Sequence, residues 1–87
     1  MKVVAIHTIS DPEAFFGGQL DLPDGTSLPT VAPSEDGTKA VCVWEADSVD
    51  SIRNFVDPAT EGIATNEYFQ ANEQYSMGLP THAGAAS

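Results

Sequence analysis

The segment from Lys39 to Asp57, KAVCVWEADSVDSIRNFVD, constrains the fold more than any other part of the chain. It opens with a run of mostly apolar residues that favour β-strands, and this run ends at Glu45-Ala46. An Asp-Ser pair typical of a helix start follows, and apolar residues then recur with helical spacing at positions 49, 52, 55 and 56. The segment therefore predicts a buried strand that leads directly into an amphipathic helix.

Three further strands and a second helix are predicted around this segment. Residues 1–9, MKVVAIHTI, are apolar on both alternating faces, which is typical of a central strand. A helix start at residues 10–13 and two glycines at 17–18 predict a helix of at most two turns. Residues 28–33 carry two prolines, which confine a strand to a sheet edge. Residues 66–75 are predicted to form a polar edge strand in which Tyr68 and Phe69 supply most of the apolar surface. An Asp-Gly turn joins the second and third strands, and Pro58 predicts the end of the second helix.

The order of elements, β-α-β-β-α-β, predicts an α+β fold of the ferredoxin-like type. In that arrangement a four-stranded antiparallel sheet carries two helices on one face, with strands one and three at its centre. The two apolar runs fall on these central strands and the proline-bearing and polar runs on the edges. We expect residues 1–80 to form a single domain and residues 81–87 to form a flexible tail.

The helix-free face of the predicted sheet needs a cover, because both faces of the two central strands are apolar. A chain of 87 residues buries only about 60 to 65 % of its unfolded surface, so its own core is thin. A second copy of the chain is the simplest cover, and we therefore expect a homodimer.

The charge balance limits the partners. Thirteen acidic residues against three basic ones give a formal net charge of −10, which repels phosphate, so we expect neither nucleic acid nor an anionic membrane as a partner.

The single cysteine, Cys42, forms no internal disulfide and is interpreted as a core residue. No apolar run approaches the length of a signal peptide core or a membrane span, so we expect a soluble cytoplasmic protein.

The blocks VCVWEADSVDSIRNFVDPA, IATNEYFQANE and GLP, within residues 39–80, resemble small ferredoxin-like proteins of the dimeric α/β barrel superfamily. The resemblance implies a homodimer whose two sheets face each other as a barrel, with a pocket between sheet and helices in each subunit. Members of that superfamily include cofactor-independent monooxygenases, haem-degrading enzymes, decarboxylases and isomerases. Some small relatives bind nickel or another divalent metal, so the resemblance adds a divalent transition metal to the candidate ligands.

Two residues are candidates for proton transfer and for metal binding. His7 lies among apolar neighbours in a central strand, where a neutral imidazole serves as a general base or a metal ligand. A core histidine with a hydrogen-bonded neighbour explains the same residue without any function. Glu45 ends a strand just before a helix, where functional side chains are common, although a solvated carboxylate is an equal explanation. The register between the two strands decides whether these side chains meet.

The remaining candidates are acidic or aromatic. Glu67 or Glu73 on the last strand would complete a mixed nitrogen and oxygen ligand set for nickel or zinc, and charges that protect an edge strand are the alternative explanation. Trp44, Phe15 and Tyr68 are candidates for the walls of an aromatic ligand pocket, with ordinary core packing as the alternative.

Two functions from different classes follow. The first is a small homodimeric binding module that holds a small ligand or a divalent transition metal between sheet and helices. The alternative is a cofactor-independent enzyme, similar to a monooxygenase or isomerase, that acts on a small carbonyl or aromatic substrate with His7 or Glu45 as the proton-transfer group. An accessory subunit of a larger assembly is a third possibility, which an exposed apolar patch would favour.

Overall fold

A computed structural model describes residues 1–18 and 21–79, and the predicted tail at 81–87 lies outside these residues. The fold is α+β with the predicted βαββαβ order of elements. The elements are β1 (Lys2–Ile9), α1 (Pro12–Gly17), β2 (Ser27–Pro33), β3 (Lys39–Glu45), α2 (Val49–Ala59) and β4 (Ala64–Gln70). The structure thus confirms the predicted fold class.

The four strands form one antiparallel sheet in the order β2-β3-β1-β4. The two apolar strands, β1 and β3, lie at the centre as predicted, and the proline-bearing and polar strands lie at the edges. Across the central pair, Lys2 is opposite Glu45 and His7 is opposite Ala40. On the other side of β1, His7 is opposite Asn66 of β4.

Both helices pack on the same face of the sheet, which we call the helix face. Alternate residues of the central strands point to this face and form the buried core together with α2. This core contains Val3, Ala5, Cys42, Trp44, Ala46, Ile52 and Val56. Its packing follows from the period of two in the strands and from the apolar stripe of α2.

The start of each helix follows the local sequence signals. The side chain of Asp11 accepts a hydrogen bond from the backbone N–H of Ala14 and caps α1. The side chain of Ser48 accepts one from the N–H of Ser51 and caps α2 in the same way. Such caps satisfy backbone donors that have no partner within the helix.

The end of α2 corrects the sequence prediction, because the helix continues through Pro58 to Ala59. Two features hold this last turn in place. The backbone N–H of Thr60 donates to the carbonyl of Val56 over 3.0 Å, and the Thr60 hydroxyl donates to the same carbonyl over 2.9 Å. Val56 is itself buried against the sheet, so tertiary packing outweighs the local cost of the proline.

The last strand also differs from the prediction, since β4 spans Ala64–Gln70 and not 66–75. Its length is set by its partner, because β1 pairs with β4 from Val3 opposite Gln70 to Ile9 opposite Ala64. After Gln70 the chain turns away, and the side chain of Asn72 accepts a hydrogen bond from the backbone N–H of Gln74.

The opposite side of the sheet carries no described helix, and we call it the open face. Its central apolar side chains are Val4, Ile6, Val41, Val43 and Phe69, as the strand registers place them. Ile6 is 36 % exposed, Val41 40 % and Phe69 47 %. These three side chains form an exposed apolar surface at the centre of the open face.

Candidate functional site

A cavity of about 340 Å³ lies on the helix face, between the sheet and the two helices. This is where the sequence analysis placed a ligand pocket, and the volume falls at the lower end of the range typical of small-molecule sites. The walls are mostly aliphatic and aromatic. They include His7 from β1, Phe15 and Phe16 from α1, Cys42 and Trp44 from β3, and Phe55, Val56 and Ala59 from α2.

Aromatic rings form two of these walls. The centroid of the Phe15 ring lies 5.0 Å from that of the His7 imidazole and 4.9 Å from that of Phe16, which it meets edge to face. At the β3 wall, Trp44 and Phe55 meet edge to face with their centroids 6.0 Å apart. Two of the three predicted pocket residues, Trp44 and Phe15, therefore line the cavity.

His7 has a defined hydrogen-bond partner behind the cavity wall. The side chain is 1 % exposed, and its Nδ1 atom lies 2.6 Å from Oδ1 of Asn66. The amide nitrogen of Asn66 donates to the carboxylate of Asp57 over 3.0 Å and to the hydroxyl of Thr60 over 2.9 Å. Among the described residues, Nε2 of His7 has no hydrogen-bond partner.

The partners of Asn66 determine where the protons lie. The pKa of Asp57 is lowered by hydrogen bonds from Tyr68 and Asn66, so its carboxylate is ionised and can only accept. The Thr60 hydroxyl donates its proton to the carbonyl of Val56 and therefore accepts from Asn66. Asn66 must present its NH₂ group to both acceptors and its carbonyl oxygen to His7.

The imidazole of His7 is consequently fixed as one tautomer. Its Nδ1–H donates to Asn66, which leaves a lone pair on Nε2. Burial lowers the pKa of His7, and the opposing effects of the Asn66 hydrogen bond and the Asp57 charge are smaller. His7 is therefore neutral at neutral pH and offers a hydrogen-bond acceptor or a base at Nε2.

Two other polar groups at the cavity wall are less suited to chemistry. Burial raises the pKa of the Cys42 thiol to about 11, so it stays protonated and is a poor nucleophile. The indole N–H of Trp44 is buried and has no acceptor among the residues that the structure describes. An acceptor on a bound molecule would relieve the cost of that unpaired donor.

Glu45 does not share a site with His7. It lies on the open face, at the end of the sheet opposite to His7, since it pairs with Lys2. Its carboxylate is 3.1 Å from the Lys2 ammonium and 3.1 Å from the amino terminus. Partial burial acts to raise the pKa of Glu45, but these two hydrogen-bonded cations together hold it below its usual range. Glu45 therefore acts as an ion-pair partner.

The predicted metal ligands are likewise separated. Glu67 is opposite Ile6 and so lies on the open face, whereas His7 lies on the helix face. Glu73 lies in the turn beyond β4. Within residues 1–18 and 21–79, no three histidine, cysteine or carboxylate side chains come together as a metal site would require.

Tyr68, the third predicted pocket residue, is not one of the residues that line the cavity. It packs against the core, and its hydroxyl donates to Asp57 over 2.6 Å. Asn66 and Asp57 were not among the site residues predicted from the sequence. Only the register of the sheet could have identified Asn66, because it faces His7 only when the antiparallel pairing of β1 and β4 places these two residues opposite each other.

Comparison with protein-family models, curated protein sequences and solved structures gives no match to this chain. The ferredoxin-like order of elements is confirmed by the structure, and membership of the dimeric α/β barrel superfamily stays a prediction. Neither of the described helices has the length and apolarity needed to cross a bilayer.

Proposed function

We propose that this chain is a homodimeric binding module that holds a small, mostly apolar ligand in the cavity between the sheet and the helices. The observation that carries the proposal is the cavity itself, which is lined by aromatic and aliphatic side chains around one oriented, neutral imidazole. Pockets with apolar walls and a few fixed polar groups are typical of small-molecule sites.

The metal-binding form of the prediction has less support. Nε2 of His7 is a suitable ligand atom for nickel or zinc. Glu45 and Glu67, however, lie on the open face, so His7 is the only member of the predicted ligand set at the cavity. A small organic ligand needs only one polar anchor and suits the walls better.

The homodimer is proposed from the open face. Ile6, Val41 and Phe69 expose large apolar surfaces there, while the Lys2–Glu45 ion pair lies near one end of the same face. A two-fold dimer requires a patch that complements itself, and an apolar centre meets that requirement. The resemblance to the dimeric α/β barrel superfamily implies the same contact.

The binding proposal is tested by filling the cavity. Ala14 lines the cavity from the exposed helix α1, so Ala14→Phe places a ring in it with little effect on the core. Binding of naphthalene, followed through the fluorescence of the sole tryptophan, Trp44, is expected to weaken at least about tenfold. Glu13→Phe adds the same ring one position earlier, outside the cavity wall, and should leave binding unchanged. Equal binding by both variants, or none by the unmodified protein, would contradict the proposal.

A second function is favoured by the fixed tautomer of His7. A neutral imidazole with a free Nε2 lone pair can remove a proton from the carbon next to a carbonyl group. The enzyme alternative rests on His7 alone, because Glu45 is on the other face of the sheet. Its test is the exchange of the α-protons of 2-tetralone in deuterium oxide, followed by NMR. If the α-protons of 2-tetralone exchange no faster with the unmodified protein than with a His7→Gln variant, His7 is excluded as the base that removes them.

A further inference from the structure

We infer that the ligand of this cavity is a neutral hydroxylated aromatic compound, a phenol or an aryl enol, whose hydroxyl group donates a hydrogen bond to Nε2 of His7. This inference rests on the proposed function, since it names the class of ligand for the same cavity. It depends on three features of the described residues: the direction of the His7 hydrogen bond, the charge of the cavity wall and the nature of the rings around it.

The hydrogen-bond chain behind the wall determines what His7 can recognise. Asp57 accepts from Asn66, Asn66 accepts from Nδ1–H of His7, and Nε2 is left as an acceptor. An acceptor in an apolar site selects ligands that bring a donor, because a ligand without one covers the lone pair and leaves it unpaired. A hydroxyl group supplies such a donor without carrying a charge.

The cavity wall disfavours ligands that carry a formal charge. Among residues 1–18 and 21–79, none of the side chains that line it is lysine, arginine, aspartate or glutamate. Asp57 is close enough to His7 to affect its pKa, but its carboxylate already accepts hydrogen bonds from Asn66 and Tyr68. A carboxylate or an ammonium ion would lose its hydration in this cavity without gaining an opposite charge, and this cost is large.

The rings around His7 favour a flat ligand. Phe15 contacts the imidazole directly, and Trp44 and Phe55 form the opposite aromatic pair. Aromatic rings gain additional stabilisation from stacked and edge-to-face contacts beyond the area that they bury. A hydroxylated ring therefore uses both the walls and the polar anchor of the cavity.

The test compares 2-naphthol with 2-methoxynaphthalene, in which a methyl group replaces the hydroxyl proton. Binding to uniformly labelled protein is followed by amide chemical shifts, and 2-naphthol is expected to bind about tenfold more tightly because it makes one additional buried hydrogen bond. Equal affinities would overturn the inference and leave the proposed binding function standing. Failure of both probes to bind would overturn the inference together with that function.

Variants at the two histidines give a matched control. His7→Phe removes the acceptor but keeps an aromatic ring beside Phe15, so it should bring the affinity ratio of the two probes close to one. His82→Phe alters the other histidine of the sequence and should preserve the tenfold preference. Loss of the preference in the His82→Phe protein, or its persistence in the His7→Phe protein, would contradict the assignment of Nε2.

A measurement on the unmodified protein covers the case in which His7→Phe does not fold. Nitrogen-15 NMR distinguishes the two imidazole tautomers, and we expect His7 to carry its proton on Nδ1 at neutral pH. Addition of 2-naphthol should shift the Nε2 resonance and leave the tautomer unchanged. A proton on Nε2 in the ligand-free protein would overturn the inference regardless of the variants.

Discussion

The Nδ1 atom of His7 lies 2.6 Å from Oδ1 of Asn66, on the neighbouring strand of the sheet. Because the amide group of Asn66 donates to two acceptors, this contact fixes both the tautomer and the ring orientation of His7. A histidine that the sequence places in an apolar strand is thereby given one defined acceptor atom at the cavity.

The first prediction concerns the pKa of His7. Asn66→Ala removes the acceptor of the Nδ1 proton, whose hydrogen bond raises the pKa of His7 against the effect of burial, so the pKa of His7 is expected to fall further. NMR titration of the imidazole measures the change, and the His82 resonance in the same spectrum serves as the internal control. An unchanged pKa of His7 would show that position 66 does not contact the ring.

The second prediction concerns stability as the pH falls. The pKa of His7 is lowered by burial, so the unfolded state binds more protons than the folded state between the folded pKa and the ordinary value of 6.5. The free energy of unfolding should therefore decrease as the pH drops from 6.5 towards the folded pKa. Denaturant titrations at a series of pH values measure this slope.

A His7→Gln variant serves as the control for that slope, because it has no titrating group at position 7. Its stability should vary less with pH in this window. Asp57 and Glu45 also have lowered pKa values, but they act at more acidic pH, where carboxylates titrate. The same slope in both proteins would mean that His7 does not determine it.

The third prediction concerns the core. Ile52 is fully buried on α2 against the sheet, so Ile52→Ala should reduce the free energy of unfolding by about 2 to 5 kcal/mol. Val31→Ala is the control, since Val31 is 46 % exposed at the edge strand and should cost less than about 0.5 kcal/mol. Chemical denaturation compares the two. Similar costs at both positions would contradict the packing described for α2.

The fourth prediction concerns the oligomeric state. Val41→Lys introduces a charge at the centre of the open face and is expected to convert a dimer into a monomer, as measured by sedimentation. Val31→Lys makes the same change at a similarly exposed valine on the helix face and should leave the dimer intact. A monomer in the unmodified protein would exclude the proposed contact.

Local signals in the sequence were sufficient for the elements and for their places in the sheet. The apolar runs around His7 and Trp44 predicted the central strands, and the prolines of β2 predicted an edge strand. Errors occurred where a distant contact sets a boundary. Packing of Val56 keeps α2 helical through Pro58, and pairing with β1 ends β4 at Gln70.

The residues of the candidate site show the same division between what local sequence predicts and what distant contacts decide. Residue type and apolar surroundings were enough to select His7 and Trp44, because burial on a central strand follows from the pattern of the strand itself. Phe15 was selected as an aromatic residue of the first predicted helix. The separation of Glu45 from His7, and the contact of His7 with Asn66, were decided only by the tertiary structure. Both depend on strand register, which relates residues far apart in the chain and leaves no mark on the sequence near either one.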